Sequence, residues 1–309
     1  MASRFTELVG CRLPLQQAAM SGIATPALAA AVSEAGGLGM LAAGRRSVDV
    51  ARSQIEAVKR ATDRPVGMGF IIEFLDRDVL EVAVDLLPVI EFFWGAPDAR
   101  LVPGGRVVGW QIGDVDGARA AVDAGCSFVV AQGIEAGGHV CGEIELDRLV
   151  VDVRDAVGDV AVVAAGGIGT AADVRRLLDL GADAVRIGSR FVATHESDAH
   201  DRYVELLVAA GHADTELSEA FWVGWPDALH RVLTSAVEAS GDGPDVIGHM
   251  PHPDGSMRVV PRFFVSPPLR SFTGSIDAMA LYAGTGIDAI TARTAAADVV
   301  AELTDQERP

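Results

Sequence analysis

A glycine-rich segment that ends in a histidine carries the clearest chemical signal in this sequence of 309 residues. The segment, residues 132–139, reads QGIEAGGH and follows an apolar run that is typical of a buried strand. Glycines let the backbone approach a ligand closely, and an imidazole exchanges protons near neutral pH. We therefore predict that His139 does acid–base chemistry at a ligand site, the alternative being a histidine that only completes a loop.

Two further glycine turns have the composition of phosphate-binding loops. The first reads AAGGIGT and ends at Thr170, and the second reads IGSR and ends at Arg190. Backbone N–H groups at the start of a helix bind phosphate without the help of a lysine. Arg190 could add positive charge to such a site or could pair with an acidic neighbour, and the sequence leaves both roles open.

Two segments of small residues complete the set of candidate site residues. Residues 16–22, QQAAMSG, could line a flat ring, although a tightly packed turn is the simpler explanation for this segment taken alone. Residues 282–286, YAGTG, could cover a pocket or form an ordinary turn.

The strongly acidic composition narrows the range of partners. The chain has 43 acidic and 25 basic residues, a formal charge of -18, and half of its residues are hydrophobic. This charge argues against binding to nucleic acid or an anionic membrane, because phosphate contacts need Lys or Arg. Lys59 is the only lysine, and its place late in a predicted external helix argues against Schiff-base chemistry. We therefore expect a small-molecule substrate.

Cysteine and histidine spacings argue against a disulfide framework and a metal site. The three cysteines contain no CxxC pair, and His200 follows His195 one residue too late for the zinc motif HExxH. The N-terminus lacks a hydrophobic signal core, and no apolar run approaches the ~18 residues of a membrane span. We expect a cytoplasmic protein without a bound metal.

Short apolar runs alternate with longer amphipathic runs over the first two thirds of the chain, which predicts a parallel sheet. Eight parallel strands predict an α/β fold of the (β/α)8 or TIM-barrel type, whose active site lies at the C-terminal strand ends. The signals after strands six, seven and eight would then meet at one face. The predicted strands are residues 13–18, 38–41, 66–70, 89–94, 107–112, 128–132, 160–165 and 184–187.

The pattern changes after the eighth strand. Residues 196–210 and 225–239 have helical patterns, whereas residues 240–268 are rich in Gly, Pro, Asp and His and are predicted to be loop. A last helix over 287–303 would return to the barrel wall. We therefore expect a barrel of residues 1–195 plus 276–309, with a small, mostly helical lobe of residues 196–275 inserted after strand eight to cover the substrate.

Together these segments resemble the nitronate monooxygenase family, formerly called 2-nitropropane dioxygenases. Its members are FMN-dependent (β/α)8 barrels related to flavin-dependent enoyl-ACP reductases. The resemblance covers nearly the whole chain and depends on four segments in order. They read QAAMSGIATPALAAAVSEAGGLGML, VVAQGIEAGGH, VVAAGGIGTAADV and IGSRFVATHES, of which VVAQGIEAGGH is the most specific.

The resemblance implies FMN bound across the strand ends, with His139 as the catalytic histidine and Tyr282 and Gly284 near the substrate. Two positions depart from the family pattern. Ala19 stands where many members have proline, and Gly69 stands where many have asparagine. The implied cofactor contacts are Ala18, Ala19, Met20, Gln132, Gly137, Gly138, Gly166, Gly167, Gly188 and Ser189.

The resemblance also implies a reaction, in which an alkyl nitronate is oxidised by O₂ to a carbonyl compound and nitrite. His139 would act as base on a neutral nitroalkane. One alternative is reduction of a C=C bond in an enoyl thioester-like substrate, with NAD(P)H as the reductant. Another is a non-catalytic FMN-binding protein. The sequence leaves the substrate, the reductant and the oligomeric state open, a homo-oligomer included.

Overall fold

Eight parallel strands close into a barrel in the computed structural model, which describes residues 3–251 and 255–305. β8 pairs with β1, and a bridge between Gln16 and Leu38 joins β1 to the start of β2. The predicted TIM barrel is confirmed. Its strands are β1 (Leu15–Gln17), β2 (Gly39–Ala42), β3 (Val66–Ile71), β4 (Val89–Phe93), β5 (Val107–Ile112), β6 (Phe128–Gln132), β7 (Ala161–Ala165) and β8 (Ala184–Ile187).

Helices surround this barrel, and the segment after β8 adds further ones. Short 3₁₀ helices occupy Ile72–Phe74, Ala99–Leu101, His212–Asp214, Ile276–Ala278 and Thr285–Ala289. The α-helices are α1 (Arg4–Val9), α2 (Pro26–Ala35), α3 (Val48–Ala61), α4 (Arg77–Leu86), α5 (Val115–Asp123), α6 (Leu146–Val157), α7 (Ala171–Asp179), α8 (Ser189–Val192), α9 (Asp201–Ala209), α10 (Thr234–Gly241) and α11 (Ala296–Leu303).

Local capping explains where several of these helices begin. The Thr25 side chain accepts the N–H of Leu28, and Pro26 follows it as the first residue of α2. Thr170 and Asp173 form a reciprocal capping box at the start of α7. Lys59 is exposed on α3, as expected of a solvated side chain.

The barrel strands are buried on both faces, which explains their continuous apolar runs. Val129 and Val162 pack outward against the helices, whereas Phe128, Val130 and Val163 fill the barrel interior. The two sets alternate along the strands, as pleated backbone requires.

A buried polar layer also lies inside the barrel. Arg186 of β8 forms an ion pair with Glu91 of β4. The Arg186 guanidinium also donates hydrogen bonds to the side chains of Gln16 and Gln111. Burying two charges costs free energy, and these added hydrogen bonds offset part of that cost. Because side chains alternate along β1, Gln16 places this layer directly beneath Ala18 at the barrel mouth.

The segment over residues 196–275 differs from the mostly helical lobe that was expected. Alongside α9 and α10 it contains strands of two small antiparallel sheets. One sheet joins Thr215–Ser218, His230–Leu233 and Gly138–His139, and the other joins Val246–Pro251, Met257–Pro261 and Thr273–Gly274. The expectation of a mostly helical lobe is therefore wrong. His230–Leu233 pairs with the distant Gly138–His139, and Val246–Pro251 and Met257–Pro261 form a hairpin inside the segment that was predicted to be loop.

The final predicted helix, over 287–303, is also only partly helical. Its first residues belong to the 3₁₀ helix Thr285–Ala289, and α11 begins at Ala296. α11 packs against α2 and α7 and buries Val299, Val300 and Leu303 against the barrel wall, so the predicted return to the wall is correct.

Candidate active site

The predicted site residues meet at the C-terminal mouth of the barrel. The Gly284 N–H donates to the Ser189 hydroxyl at 3.0 Å, and the Thr285 N–H donates to the Glu135 carbonyl. A Cβ added at Gly137 would lie 2.4 Å from the Gly284 nitrogen, so these two backbones touch. One continuous surface is therefore formed by residues 133–139 after β6, Ser189 after β8 and residues 282–286, which we call the segment before α11.

His139 is held by a short strand that the sequence pattern did not predict. Gly138–His139 pairs antiparallel with His230–Leu233. The Gln132 amide nitrogen, at the end of β6, donates to the His139 carbonyl at 2.9 Å. Gln132 was predicted to contact the flavin, and the structure shows that its side-chain amide fixes the His139 backbone.

Aromatic rings surround the His139 imidazole. Trp225 stacks on it with ring centroids 4.1 Å apart and planes 23° apart, and Trp94 meets it edge-on at 6.2 Å. His230 and Tyr282 lie at 5.3 and 5.4 Å. Trp94 has φ of 63°, a left-handed backbone conformation that bulky residues rarely adopt and that is often found at functional sites.

The His139 imidazole lacks a hydrogen bond that a buried polar ring normally makes. Its Nε2 is covered and has no hydrogen-bond partner within the part of the chain that the structure describes. Burial, and to a lesser extent the nearby His230, lower the pKa of His139 from 6.5 to about 3. Buried polar groups are normally hydrogen-bonded, so an orphaned imidazole nitrogen marks a place where a ligand is expected. The neutral ring can accept a proton.

By contrast, the polar side-chain atoms of the neighbouring His230 and Tyr282 all have hydrogen-bond partners. His230 Nδ1 lies 2.8 Å from the Ala228 carbonyl and therefore carries the proton, while Nε2 accepts the Phe221 N–H. The Tyr282 hydroxyl donates to the Val265 carbonyl at 2.7 Å. Tyr282 was predicted to lie near the substrate. Because its hydroxyl is already hydrogen-bonded, Tyr282 offers the site beside His139 its ring and not a free hydroxyl.

The predicted phosphate turn after β7 has an unpaired backbone donor. Gly166 and Gly167 have φ of 126° and 63°, and the Gly167 N–H has no hydrogen-bond partner among the described residues. A Cβ at Gly188 would meet only Ala18, at 3.7 Å, so there is open space above β8. Ser189 begins α8 beside it. These features suit an anion held by backbone groups.

Arg190 belongs to the fold rather than to this turn. Its guanidinium donates to the Gly169 carbonyl at 2.6 Å and to the Glu302 carboxylate at 2.5 Å. Of the two roles that the sequence left open, the structure favours pairing with an acidic neighbour.

The segment after β1 forms another part of the mouth. Ala18, Ala19 and Met20 are all half-buried. A Cβ at Gly69 would lie only 2.5 Å from the Ala19 Cβ. The alanine and the glycine therefore fit each other, which accounts for the two departures from the family pattern together.

A pocket of about 360 Å³ lies beside Trp94 and the residues that follow His139. Its lining includes Cys141, Glu143 and Asp227. Glu143 and Asp227 are exposed and form no ion pair within the described part of the chain. The volume suits a small molecule.

Sequence reasoning missed Trp94, Trp225 and His230 as site residues. Trp94 and Trp225 each lie beside a glycine and close to a proline, and this placement of a bulky side chain could have marked both as candidate site residues. Nothing local connects His230 to His139, since their pairing is long-range. Within residues 3–251 and 255–305, no three His, Cys, Asp or Glu side chains could hold a metal ion, and no helix has the length and apolarity to cross a membrane.

Known proteins resemble this chain over most of its length. The family model for nitronate monooxygenase matches residues 2–85 and 76–306. A nitronate monooxygenase of Pseudomonas aeruginosa is 33% identical over 273 residues, which cover 71% of this chain and 77% of that protein.

Two further proteins are similar. The (3aS,4S,5R,7aS)-5-hydroxy-7a-methyl-1-oxo-octahydro-1H-indene-4-carboxyl-CoA dehydrogenase of Rhodococcus jostii is 34% identical over 253 residues, covering 78% of this chain and 69% of that one. The structure of a nitroalkane oxidase from Streptomyces ansochromogenes has a TM-score of 0.79 and 28% identity, covering 98% of this chain and 97% of that one. With these matches and an orphaned histidine at the mouth of a TIM barrel, the chain belongs to the nitronate monooxygenase family and is an oxidoreductase.

Proposed function

We propose that this chain is an FMN-dependent oxidoreductase that uses O₂ to oxidise an alkyl nitronate, or the nitroalkane that gives rise to it, to a carbonyl compound and nitrite. The observation that carries the proposal is the buried, unpartnered Nε2 of His139. The Pseudomonas nitronate monooxygenase and the Streptomyces nitroalkane oxidase, both similar over most of the chain, support the substrate class.

The barrel mouth fits FMN. The unpaired Gly167 N–H and the open space above Gly188 would accept the phosphate. The half-buried Ala18, Ala19 and Met20 would lie along the ring, with Gly137 and Gly138 at its other side. When bound, FMN would supply the electron transfer between the substrate and O₂, which no side chain can perform.

His139 would act on the proton of a neutral nitroalkane. Its ring is neutral over the physiological pH range, so Nε2 can accept the α-proton while the C–H electron pair passes to the nitro group. The resulting nitronate anion would stabilise the imidazolium formed beside it. A nitronate that is supplied already ionised would need only binding. The lobe residues that reach His139, Trp225 among them, would keep water out of this step.

A second candidate is reduction of a C=C bond in an acyl-thioester substrate, with NAD(P)H as the reductant, or the reverse oxidation of the saturated CH–CH unit. The similarity to the indene-carboxyl-CoA dehydrogenase favours it. The two exposed carboxylates beside Trp94, Glu143 and Asp227, argue for the smaller substrate, because a CoA carrier brings several phosphate charges to an acidic pocket.

Cofactor and reductant can be tested on the purified protein. Heat release and mass measurement of the chromophore should give FMN, and a dinucleotide would contradict the proposal. Anaerobic mixing with an alkyl nitronate should bleach the flavin rapidly, whereas NADPH should not. Bleaching by NADPH alone would favour the second candidate, and bleaching by neither would favour a non-catalytic FMN-binding protein.

The role of His139 is tested by His139→Ala. The variant should retain FMN, because the proposed phosphate contacts lie in other loops. Its turnover of a neutral nitroalkane should fall by about 10²–10⁴-fold, and its turnover of the nitronate should fall much less. Equal losses on both substrate forms would remove His139 from the role of base. A melting curve checks that the fold is unchanged.

A further inference from the structure

Trp225 covers one face of the His139 ring and is itself inaccessible. The two rings are stacked at 4.1 Å, and only 5% of Trp225 is exposed. Trp94 and Phe74 contact the indole edge-on, with ring centroids at 4.9 and 5.1 Å. The indole is therefore fixed from two sides, and water cannot reach this face of the imidazole.

The loop that carries Trp225 is anchored to the barrel. The Gly224 carbonyl accepts a hydrogen bond of 2.6 Å from Arg45, which follows β2. Gly224 has φ of 103°, which allows the chain to turn there. Val223 forms a bridge with Phe264. Arg45 also lies 3.9 Å above the Phe74 ring, so the same arginine fixes both the loop and the ring beneath Trp225.

The remaining neighbours of His139 offer it neither a counter-charge nor a hydrogen bond. The titratable groups that face its ring are His230 and Tyr282, and both use their polar atoms elsewhere. Cys141, two residues along the chain, is tied to Gln132. The state of the imidazole is therefore set mainly by how well water is excluded.

We propose that Trp225 is the positioning residue that keeps His139 dry and in its proton-accepting form, so that Nε2 finds its first partner in the substrate. This inference rests on the proposed role of His139 as base. It assigns a task in that chemistry to a side chain of the lobe that acts through His139 rather than on the substrate itself.

The test uses Trp225→Ala, with Trp225→Val as a smaller disturbance and Trp225→Phe as the conservative replacement. In protein labelled with ¹⁵N-histidine, the His139 signals are identified by their loss in His139→Gln. In the wild type they should stay unchanged from pH 5 to 8. In Trp225→Ala they should titrate near pH 6.5, because water that enters in place of the indole removes the desolvation that disfavours the imidazolium.

Steady-state kinetics give a second readout. From pH 7 to 5, kcat/KM for a neutral nitroalkane should stay level in the wild type and in Trp225→Phe. In Trp225→Ala it should fall about tenfold per pH unit below the new pKa, with an inflection near pH 6.5. A residue with only a packing role would lower the rate at every pH without adding this inflection.

Trp222→Ala is the matched control, since Trp222 lies on the same loop but is 52% exposed. Trp222→Ala should show wild-type histidine titration and wild-type kinetics. Trp222 holds Trp225 through its backbone carbonyl, which accepts the Trp225 backbone N–H and is unchanged in the variant. The proposal is overturned if wild-type His139 titrates between pH 5 and 8, or if it stays silent in folded Trp225→Ala. Should that variant not fold, Trp225→Val is judged by the same criterion.

The two proposals fail in different ways. If the wild type turns over neither nitroalkane nor nitronate, the proposed function fails, and the histidine titration still decides whether Trp225 keeps His139 neutral.

Discussion

Two histidines 5.3 Å apart show how the same side chain serves different purposes at this site. His230 has both ring nitrogens paired with backbone groups, so its proton position is fixed by the fold. His139 has a buried nitrogen with no hydrogen-bond partner among residues 3–251 and 255–305. Leaving a buried polar atom unpaired costs free energy, which the rest of the structure must supply. Such a cost is commonly found where a group must remain available for a ligand.

The low pKa of His139 predicts a specific dependence of stability on pH. The folded pKa is about 3 and the unfolded value is 6.5, so the unfolded state binds more protons between these values. Wild-type stability should therefore fall as the pH drops from 6.5 toward 3, by up to about 1.4 kcal/mol per pH unit from this group. His139→Gln should lose this part of the acid sensitivity, as measured by urea unfolding at several pH values.

His249→Gln is the control for that measurement. His249 is an exposed histidine of the outer sheet. Its replacement should leave the dependence of unfolding free energy on pH as in the wild type. Parallel wild-type and His139→Gln curves between pH 6 and 4 would show that His139 is not held neutral.

At the scale of elements, the barrel could be predicted and the lobe could not. The barrel strands follow from short, mostly apolar runs, and the proposed phosphate turns follow from glycines placed between a strand and a helix. Each of these signals lies within a few residues of what it predicts. The strands Gly138–His139 and His230–Leu233 depend on each other across the chain, so neither has a local signal.

The same distinction holds within the site. His139, Gly137 and Gly284 were predicted, because glycine and histidine have conspicuous local roles. Trp225 was assigned to a helix, although it lies in an anchored loop, and its contact with His139 exists only after the lobe has folded onto the barrel. Packing partners of this kind are set by tertiary structure, which propensity does not encode.

The turn between β7 and α7 provides a prediction at this scale. Gly167 has φ of 63°, and a Cβ there would meet the Thr285 hydroxyl at 2.7 Å. Gly167→Val should therefore strain the turn, push it away from the segment before α11 and lose most of the bound flavin. Flavin absorbance per folded protein, with a melting curve, measures both effects.

Gly158→Val separates loss of flavin from backbone strain alone. Gly158 follows α6, has φ of 58°, and has open space where its Cβ would be. It lies at the opposite end of the barrel from the proposed phosphate turn. This variant should lower the melting temperature while retaining wild-type flavin content. Full flavin occupancy in a folded Gly167→Val protein would contradict the assignment of the phosphate turn.

For the molecule as a whole, charge is the dominant feature. The formal net charge is -18, and the two exposed carboxylates of Glu143 and Asp227 lie in the pocket beside Trp94. Such a field repels anions over a distance set by the ionic strength, about 10 Å at 0.1 M salt and about 30 Å at 0.01 M. An alkyl nitronate is an anion, whereas its parent nitroalkane is neutral, so the field acts on only one of the two proposed substrate forms.

Salt should therefore affect the two substrate forms differently. Raising NaCl from 10 to 500 mM should increase kcat/KM for the nitronate by roughly threefold, because screening weakens its repulsion during approach. The value for the neutral nitroalkane should change little over the same range. The double variant Glu143→Gln/Asp227→Asn should raise kcat/KM for the nitronate at low salt and reduce its dependence on salt.

A matched removal of charge elsewhere decides whether the effect is local. Glu81 and Asp85 are exposed on α4, and Asp85 lies near its end, where the chain enters β4 at the face opposite the mouth. Glu81→Gln/Asp85→Asn removes the same two negative charges from the net charge, so any effect of total charge should appear in both double variants. If only the Glu143/Asp227 pair changes the salt dependence for the nitronate, these carboxylates control its entry. Equal effects of both pairs would assign the repulsion to the whole molecule, and no salt dependence in the wild type would remove electrostatic repulsion from the approach of the substrate.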